Sequence, residues 1–281
     1  MKKLSSLFIV SFIFSLLIIS ASSAGNRAGI HPLLSDDFSG SLGWFYASTE
    51  TNLSANGRIN GDIGDIIDFE NDLGFDDSSS IFLGDFKWRF AESFHLSFEY
   101  LSINRDASAV LNKDISWDDN DFAAGASVDS SFNVNVSRLF VGYSFMQSKQ
   151  MELGAGIGLH FMDMEAQLSG NATVNGVPVG HVIKGEDFLA PLPNIGFYGA
   201  YAFSPRFIAT GRADWFSAKI GDYDGTLTSL AADIQYQAFK HVGFGAGYHY
   251  LNVDITATKG SWNGQADYSY HGPKIFMTIN F

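Results

Sequence analysis

From Gly40 to its end this sequence repeats a side-chain period of two, which leaves β-strands as its main building element. Phe94, Leu96, Phe98 and Tyr100 share one face of an extended chain, with His95, Ser97 and Glu99 on the other. Leu153, Ala155, Ile157, Leu159 and Phe161 alternate with Glu152, Gly154, Gly156, Gly158 and His160. Val242, Phe244, Ala246, Tyr248 and Tyr250 alternate with Gly243, Gly245, Gly247 and His249, and Leu230, Ala232, Ile234 and Tyr236 with Ser229, Asp233 and Gln235. A content of 29 Gly and 26 Phe points the same way, toward an all-β chain.

Alternation suits a soluble sandwich as well as a membrane barrel, so the connections have to decide. Short polar turns fall at Ala91–Ser93, Gln147–Gln150, Ser204–Arg206 and Lys240–His241. Between them lie longer, more acidic segments near 52–79, 112–130, 170–189, 220–226 and 259–266. Short turns at one end and long loops at the other are the habit of outer-membrane barrels. The predicted fold is an all-β, antiparallel up-and-down transmembrane β-barrel of ten strands. These run near 40–51, 80–91, 94–111, 131–146, 151–169, 190–203, 207–219, 227–239, 242–258 and 267–281. Twelve strands is the runner-up, because Ile59, Ile63, Ile66, Ile67 and Phe69 could form an extra hairpin. Segment 131–146 changes parity, with Phe132, Val134 and Val136 apolar on even numbers and Leu139, Val141, Tyr143 and Phe145 on odd. Either a β-bulge near Ser137 or projection of its upper part beyond the membrane would produce that.

The first 24 residues read as a signal peptide. Lys2 and Lys3 precede the apolar run Leu7 to Ile19, and Ser22-Ser23-Ala24 offers small residues for cleavage after Ala24. As a helix that run rises only about 20 Å, too short for a hydrocarbon core of about 30 Å. No other stretch approaches the roughly 18 apolar residues that a membrane helix needs. Residues 25–39 carry no pattern and read as a periplasmic lead-in, and 40–281 as the barrel domain. There is no cysteine, so no disulfide staples the fold. The 30 acids against 17 bases give a formal charge of −13, which argues against a nucleic-acid partner.

Phe90, Phe94, Phe145, Phe203, Phe207, Phe239, Phe244 and Phe281 all fall within a few residues of a short turn or the C-terminus. In a barrel they stack at one height as an aromatic girdle, whereas a sandwich has no reason to gather Phe at one end. At the C-terminus Ile275, Met277, Ile279 and Phe281 share a face. That pattern resembles the C-terminal β-signal of outer-membrane barrels, and the resemblance implies recognition by the barrel-assembly machinery. The stretches Ile67-Asp68-Phe69-Glu70-Asn71-Asp72-Leu73-Gly74 and Phe82 to Phe90 carry a further likeness. Through them the mature chain resembles small outer-membrane β-barrel proteins of proteobacteria. That resemblance implies a place in the Gram-negative outer membrane among lipid and lipopolysaccharide, and it assigns no catalytic or ligand residues.

With the apolar face toward lipid, the other face lines the lumen. One band there gathers Asp85, Lys87, Glu99, Arg138, Arg212, Asp214, Asp233, His249 and Lys274. So many charges in a narrow barrel cannot each keep a hydration shell, and pairing across the lumen is expected. The leading reading is therefore a charge-plugged barrel with acidic outer loops and a structural or surface-interaction role. A narrow porin-like channel for small solutes or ions is the alternative. A surface hydrolase is a third reading. Omptin proteases suggest Asp222-Tyr223-Asp224 and Asp118-Asp119, but the late motif lacks the histidine a general base would need. Lipid A deacylases suggest His160, His181 or His271, but no spacing ties any of them to a serine and an acid. The loop acids Asp62, Asp65, Asp68, Glu70, Asp72, Asp76 and Asp77 face only Arg58, while Asp114, Asp118, Asp119, Asp121 and Asp129 face only Lys113. Solvated, mutually repelling charge accounts for them, since their spacing is not that of a calcium loop. No catalytic residue, metal or cofactor is expected, and no external ligand is named.

Overall fold

A computed structural model describes residues 29–56, 66–117, 120–174, 177–220, 223–259 and 262–281. The leader with its cleavage site, Arg58, Ile59, Asp62, Ile63, Asp65, Asp118, Asp119 and Asp222 lie outside the described residues. A one-turn helix α1 (Pro32–Ser35) precedes β1 (Phe38–Asn56), β2 (Ile67–Asp68), a one-turn helix α2 (Phe69–Asp72), β3 (Ser78–Ala91) and β4 (Phe94–Val110). Next come β5 (Ile115–Trp117), β6 (Asn120–Phe122), β7 (Ser127–Gln147), β8 (Met151–Val174) and β9 (Val177–Ala202). The chain ends with β10 (Phe207–Ile220), β11 (Tyr223–Gln237), β12 (Val242–Lys259) and β13 (Trp262–Asn280). The ten long strands form a closed antiparallel barrel in the order β1-β3-β4-β7-β8-β9-β10-β11-β12-β13, with β13 returning to β1. Chain neighbours are ring neighbours, as an up-and-down barrel requires.

Ten strands is the expected count, and the expected loops are what need correction. The expected loop 170–189 is instead a continued hairpin, since the β8–β9 ladder runs from Met151↔Tyr201 to Val174↔Val177. The later loops shrink in the same way, with β10–β11 pairing out to Ile220↔Tyr223 and β12–β13 out to Lys259↔Trp262. Around the upper strands outward polar residues include Asp106, Asp129, Asp163 and Glu165, while β9 carries Val177, Val179, Ile183 and Leu189 outward. Nor does segment 52–79 supply an extra barrel hairpin. β2 adds only two residues to β1, and Ile67, Phe69, Leu73 and Phe75 are buried inside the barrel. The Asp68 carboxylate, accepting from Asn71 N at 2.9 Å, starts α2 and turns this segment inward.

The parity change on β7 has no bulge near Ser137. Its ladder with β4 is unbroken from Phe94↔Tyr143 to Val110↔Ser127, and the shift against β8 falls between Ser144 and Met146. Even-numbered residues point inward throughout, from Val128 to Ser144. What changes is the character of that inward face. At the short-turn end it is polar and the outward face apolar, with Trp44, Phe82, Ile157, Phe197, Trp215, Ile234 and Ile275 exposed. All eight girdle phenylalanines are exposed as well. Toward the long-loop end the order reverses. Ile103, Phe132, Val134, Met162, Leu227, Leu251 and Val253 meet in one interior core, while Asn104, Asp106, Asp163, Glu165 and Asp254 face out. Ile115, Trp117 and Phe122 from the β5–β6 hairpin join this core, as does the α2 segment.

Among the described residues the wall has two seams, the first where β3–β4 pairing stops at Leu83↔Leu101 although β3 starts at Ser78 and β4 runs on to Val110. At the second, pairing between β9 and β10 stops at Ile195↔Trp215, although both strands continue. Continuing that register would set Pro193 opposite Ser217 and Pro191 opposite Lys219, and proline has no N–H to extend a ladder. Among the described residues, β9 above Ile195 is paired only with β8.

Candidate functional site in the barrel lumen

The lower lumen is occupied by ion pairs joining strands far apart in the ring. Arg138 on β7 reaches β10, where its Nε and Nη2 donate to the two oxygens of Asp214 at 2.7 and 2.8 Å. Arg212, also on β10, reaches β4 and donates through Nη2 to both Glu99 oxygens at 2.6 and 2.7 Å. Its Nη1 turns back to Asp214 at 3.2 Å, so the two bridges are one network. His249 Nε2 lies 3.2 Å from Arg212 Nη2 and 3.3 Å from Ser229 Oγ. The Arg138 guanidinium also lies over the Phe140 ring, 4.3 Å from its centroid.

The remaining members of the expected band sit around this network. Lys274 Nζ is 3.0 Å from Asp233 Oδ1. Asp85 accepts a hydrogen bond from Ser41 Oγ across the β1–β3 ladder, and Lys87 reaches the Leu33 carbonyl at 3.5 Å. The nine residues thus all face inward, and five of them, Glu99, Arg138, Arg212, Asp214 and His249, share a single hydrogen-bonded network. Each charge is buried or half-buried with a partner close by, which is the condition for keeping it in a barrel interior.

A second cross-lumen bridge lies outside the expected band. Arg89 on β3 donates through Nη1 to Glu152 Oε1 on β8 at 2.6 Å, and Ser144 Oγ donates to the same oxygen at 2.5 Å. Tyr198 Oη is 2.8 Å from Ser144 Oγ, and its ring meets His95 edge-on at 4.7 Å between centroids. Glycines on the facing strands leave the room these large groups need. A Cβ at Gly154 would come within 2.1 Å of Tyr198 Oη, and one at Gly196 within 2.2 Å of Asp214 Oδ1. Arg89 and Glu152 had a readable signal, because both lie on the inward parity. They sit closer to the short turns than the expected band does.

A third bridge lies in the apolar upper half. Arg105 on β4 donates to Glu70 Oε1 of α2 at 2.5 Å, to Thr49 Oγ1 at 2.8 Å and to the Thr51 hydroxyl. Its guanidinium sits between the Phe75 and Phe132 rings, 5.3 and 5.5 Å from their centroids. Glu70 returns a bond by accepting from Thr51 N at 2.9 Å. The expectation that the loop acids are solvated and face only Arg58 or Lys113 is therefore corrected. Glu70 clamps the α2 segment to the wall, and Asp72 pairs with Lys113 of the other segment at 2.7 Å. Asp114 accepts from Ala124 N at 2.8 Å and Asp121 from Ser116 Oγ at 2.7 Å, both within their own hairpin.

The histidines weighed for hydrolysis are scattered. His160 is buried in the lumen, with Nδ1 3.0 Å from Asn194 Oδ1. His181 is exposed on β9, and His271 faces outward with Nδ1 2.7 Å from Tyr248 Oη. At the C-terminus Ile275, Met277 and Phe281 face outward, and β13 pairs with both β1 and β12 to close the ring.

No protein-family model matches this sequence, and no curated protein matches it significantly. Solved structures do. The barrel aligns with the outer membrane protease OmpT from Escherichia coli over 88% of this chain and 97% of that one, with a TM-score of 0.56 and 11% identity. Looser likenesses are to the outer membrane protein OprG from Pseudomonas aeruginosa (TM-score 0.40, 11% identity, 91% and 99% covered) and the Pseudomonas putida toluene transporter TodX (TM-score 0.35, 8% identity, 92% and 93% covered). At such identities the likeness speaks to architecture alone: this chain has the fold of a bacterial outer-membrane β-barrel.

Proposed function

We propose that this protein is exported by its N-terminal signal peptide to the Gram-negative outer membrane. There it serves as a lumen-plugged barrel with a structural or surface-interaction role. The short turns then face the periplasm, the aromatic girdle marks the inner interface, and the extended upper strands stand outside the cell. Ile275, Met277, Ile279 and Phe281 act as the signal read by the barrel-assembly machinery, and lipid with lipopolysaccharide surrounds the wall.

The observation that carries this reading is that the interior is filled twice. The cross-lumen network of Arg138, Asp214, Arg212 and Glu99 lies below an apolar core containing Phe132, Val134, Met162 and Leu251. An ion would have to break the first and desolvate completely in the second, at a cost of many kcal/mol. Purified protein in a planar bilayer is therefore expected to show no steady conductance. A stable unitary current that disappears on unfolding would overturn the reading.

A narrow channel is the second reading, favoured by one observation. A cavity of about 190 Å³ lies in the lower lumen, lined by Asp85, His95, Glu99, Thr210, Arg212 and Lys274 among others. Replacing Arg138 and Arg212 with Ala separates the two readings. In a plugged barrel the change lowers stability and leaves the bilayer silent, whereas in a channel it enlarges the current.

A further inference from the structure

The lower cavity has the apolar core above it, and what lies beneath is the chain's own N-terminal segment. Residues 29–37 leave β1 and run across the short-turn mouth to the opposite wall. Ile30 N donates to Lys149 O in the β7–β8 turn at 2.8 Å. His31 is fully buried, its Nδ1 accepting from Leu33 N at 3.2 Å to start α1. Leu34 packs with Ala202 and Ile208 at the ends of β9 and β10. In between, Leu33 O accepts from Arg89 Nη2 at 3.1 Å, and Asp37 O accepts from Arg89 N at 2.7 Å. In the ring order β7, β8, β9 and β10 lie opposite β1, so the contacts tie the segment to both sides of the opening. Leu33 itself lines the cavity.

The geometry points to residues 29–37 as a stopper that closes the lower cavity toward the periplasm and makes it a gated, one-ended chamber. This rests on the plugged reading for the closed upper end. Release of the segment opens the chamber, with its carboxylates and guanidinium groups, to small polar solutes from the turn side while the apolar core stays shut. Buried His31 and Leu34, half-buried Ile30 and Leu33, the bond to Lys149 and the contacts of Arg89 and Lys87 hold it. That is a modest set of interactions for a segment that has no strand partner before Phe38.

The absence of cysteine makes this directly testable in the full chain. Three single cysteines are introduced separately: Thr210→Cys in the chamber, Val134→Cys in the upper core and Ser148→Cys in an exposed turn as reference. Each is reacted in detergent with a small charged methanethiosulfonate. With the segment in place, the chamber cysteine is expected to react at least tenfold more slowly than the reference. Adding Leu34→Asp, or separately Ile30→Pro to delete the bond to Lys149, brings it to within a few-fold of the reference. Heat-modifiable gel migration verifies that each variant is folded. A chamber cysteine that reacts as fast as the reference with the segment intact overturns the stopper, as does one whose rate neither change raises. The upper-core cysteine reports separately on the plug. Fast reaction there sinks the plugged reading, and the stopper is still judged by the chamber cysteine.

Discussion

Val134 and Arg138 stand on the same face of β7, four residues or roughly 13 Å apart, and both point into the same interior. Val134 meets other hydrocarbon, while Arg138 holds a carboxylate from across the barrel. Outside, the relation is inverted: the wall beside Arg138 carries Leu139 and Val141, and the wall near Val134 carries Asn104 and Asp163. The lower half is thus inside-out relative to a water-soluble protein, and the upper half is the right way round. A β-barrel allows this because each strand has two independent faces, and each face can change character along its length without any change of register. The solvent outside decides which face is oily. In lipid the hydrocarbon must point out and the interior takes the charges. In water the hydrocarbon gathers within.

The comparison can be broken most forcefully from below. Arg138→Ala leaves Asp214 buried with only the longer contact to Arg212, and about 3–5 kcal/mol of stability should be lost in urea titrations in detergent. The paired change Arg138→Met with Asp214→Leu should recover most of that loss, because two matched apolar groups leave no charge stranded. Should the pair prove as damaging as the single change, the lower interior is specified by charge itself and not by filling. In the upper half Glu70→Ala removes the carboxylate partner of Arg105, which should cost about 3 kcal/mol. It should also expose residues 66–75 to limited proteolysis while the ten-strand wall stays intact. Ile103→Val removes one methylene from a fully buried site, and about 1 kcal/mol is expected from the same titration.

The most local effect is confined to the N-terminal segment. Burial holds the His31 imidazole down to about 4 from its usual 6.5, partly offset by the backbone of Arg206. The docked segment therefore binds fewer protons than the released one below pH 6.5. Docking is complete above that value and weakens progressively as pH falls toward 4. Amide exchange at Ile30 and Leu34, corrected for intrinsic rates, should rise over that window while exchange in the strands does not.

Most of the wall was readable from residues alone. The short turns at Ala91–Ser93 and Gln147–Gln150 bracket strands whose alternation is unambiguous, because in lipid one face must be apolar throughout. The interior was readable only where that rule holds. Phe132, Val134 and Val136 lie on the parity of Arg138, and their apolar character leaves a bulge near Ser137 and a strand projecting beyond the membrane both open; the unbroken ladder agrees with the second. Nothing local in the sequence says that the strand has left the membrane by that point. Glu70 was hidden for a related reason. Among seven acids in a loop-like stretch it looks like solvated charge, and its partner Arg105 is 35 positions further on in an unrelated strand. The β8–β9 extension is hidden in the same way, since Gly170 and Asn171 are turn-forming residue types although the ladder passes straight through both.

The prolines that end the β9–β10 ladder give the cylinder a preferred line of failure. In the lower ring a strand must lose two flanking ladders to come free, but the stretch from Val177 to Asn194 hangs on one, as over a shorter length does Ser102 to Val110. Thermal or mechanical stress should tear the wall there first, peeling the β8–β9 arm outward before the lower ring loosens. An epitope or tag inserted between β8 and β9 would therefore ride on an outrigger and not on the hull.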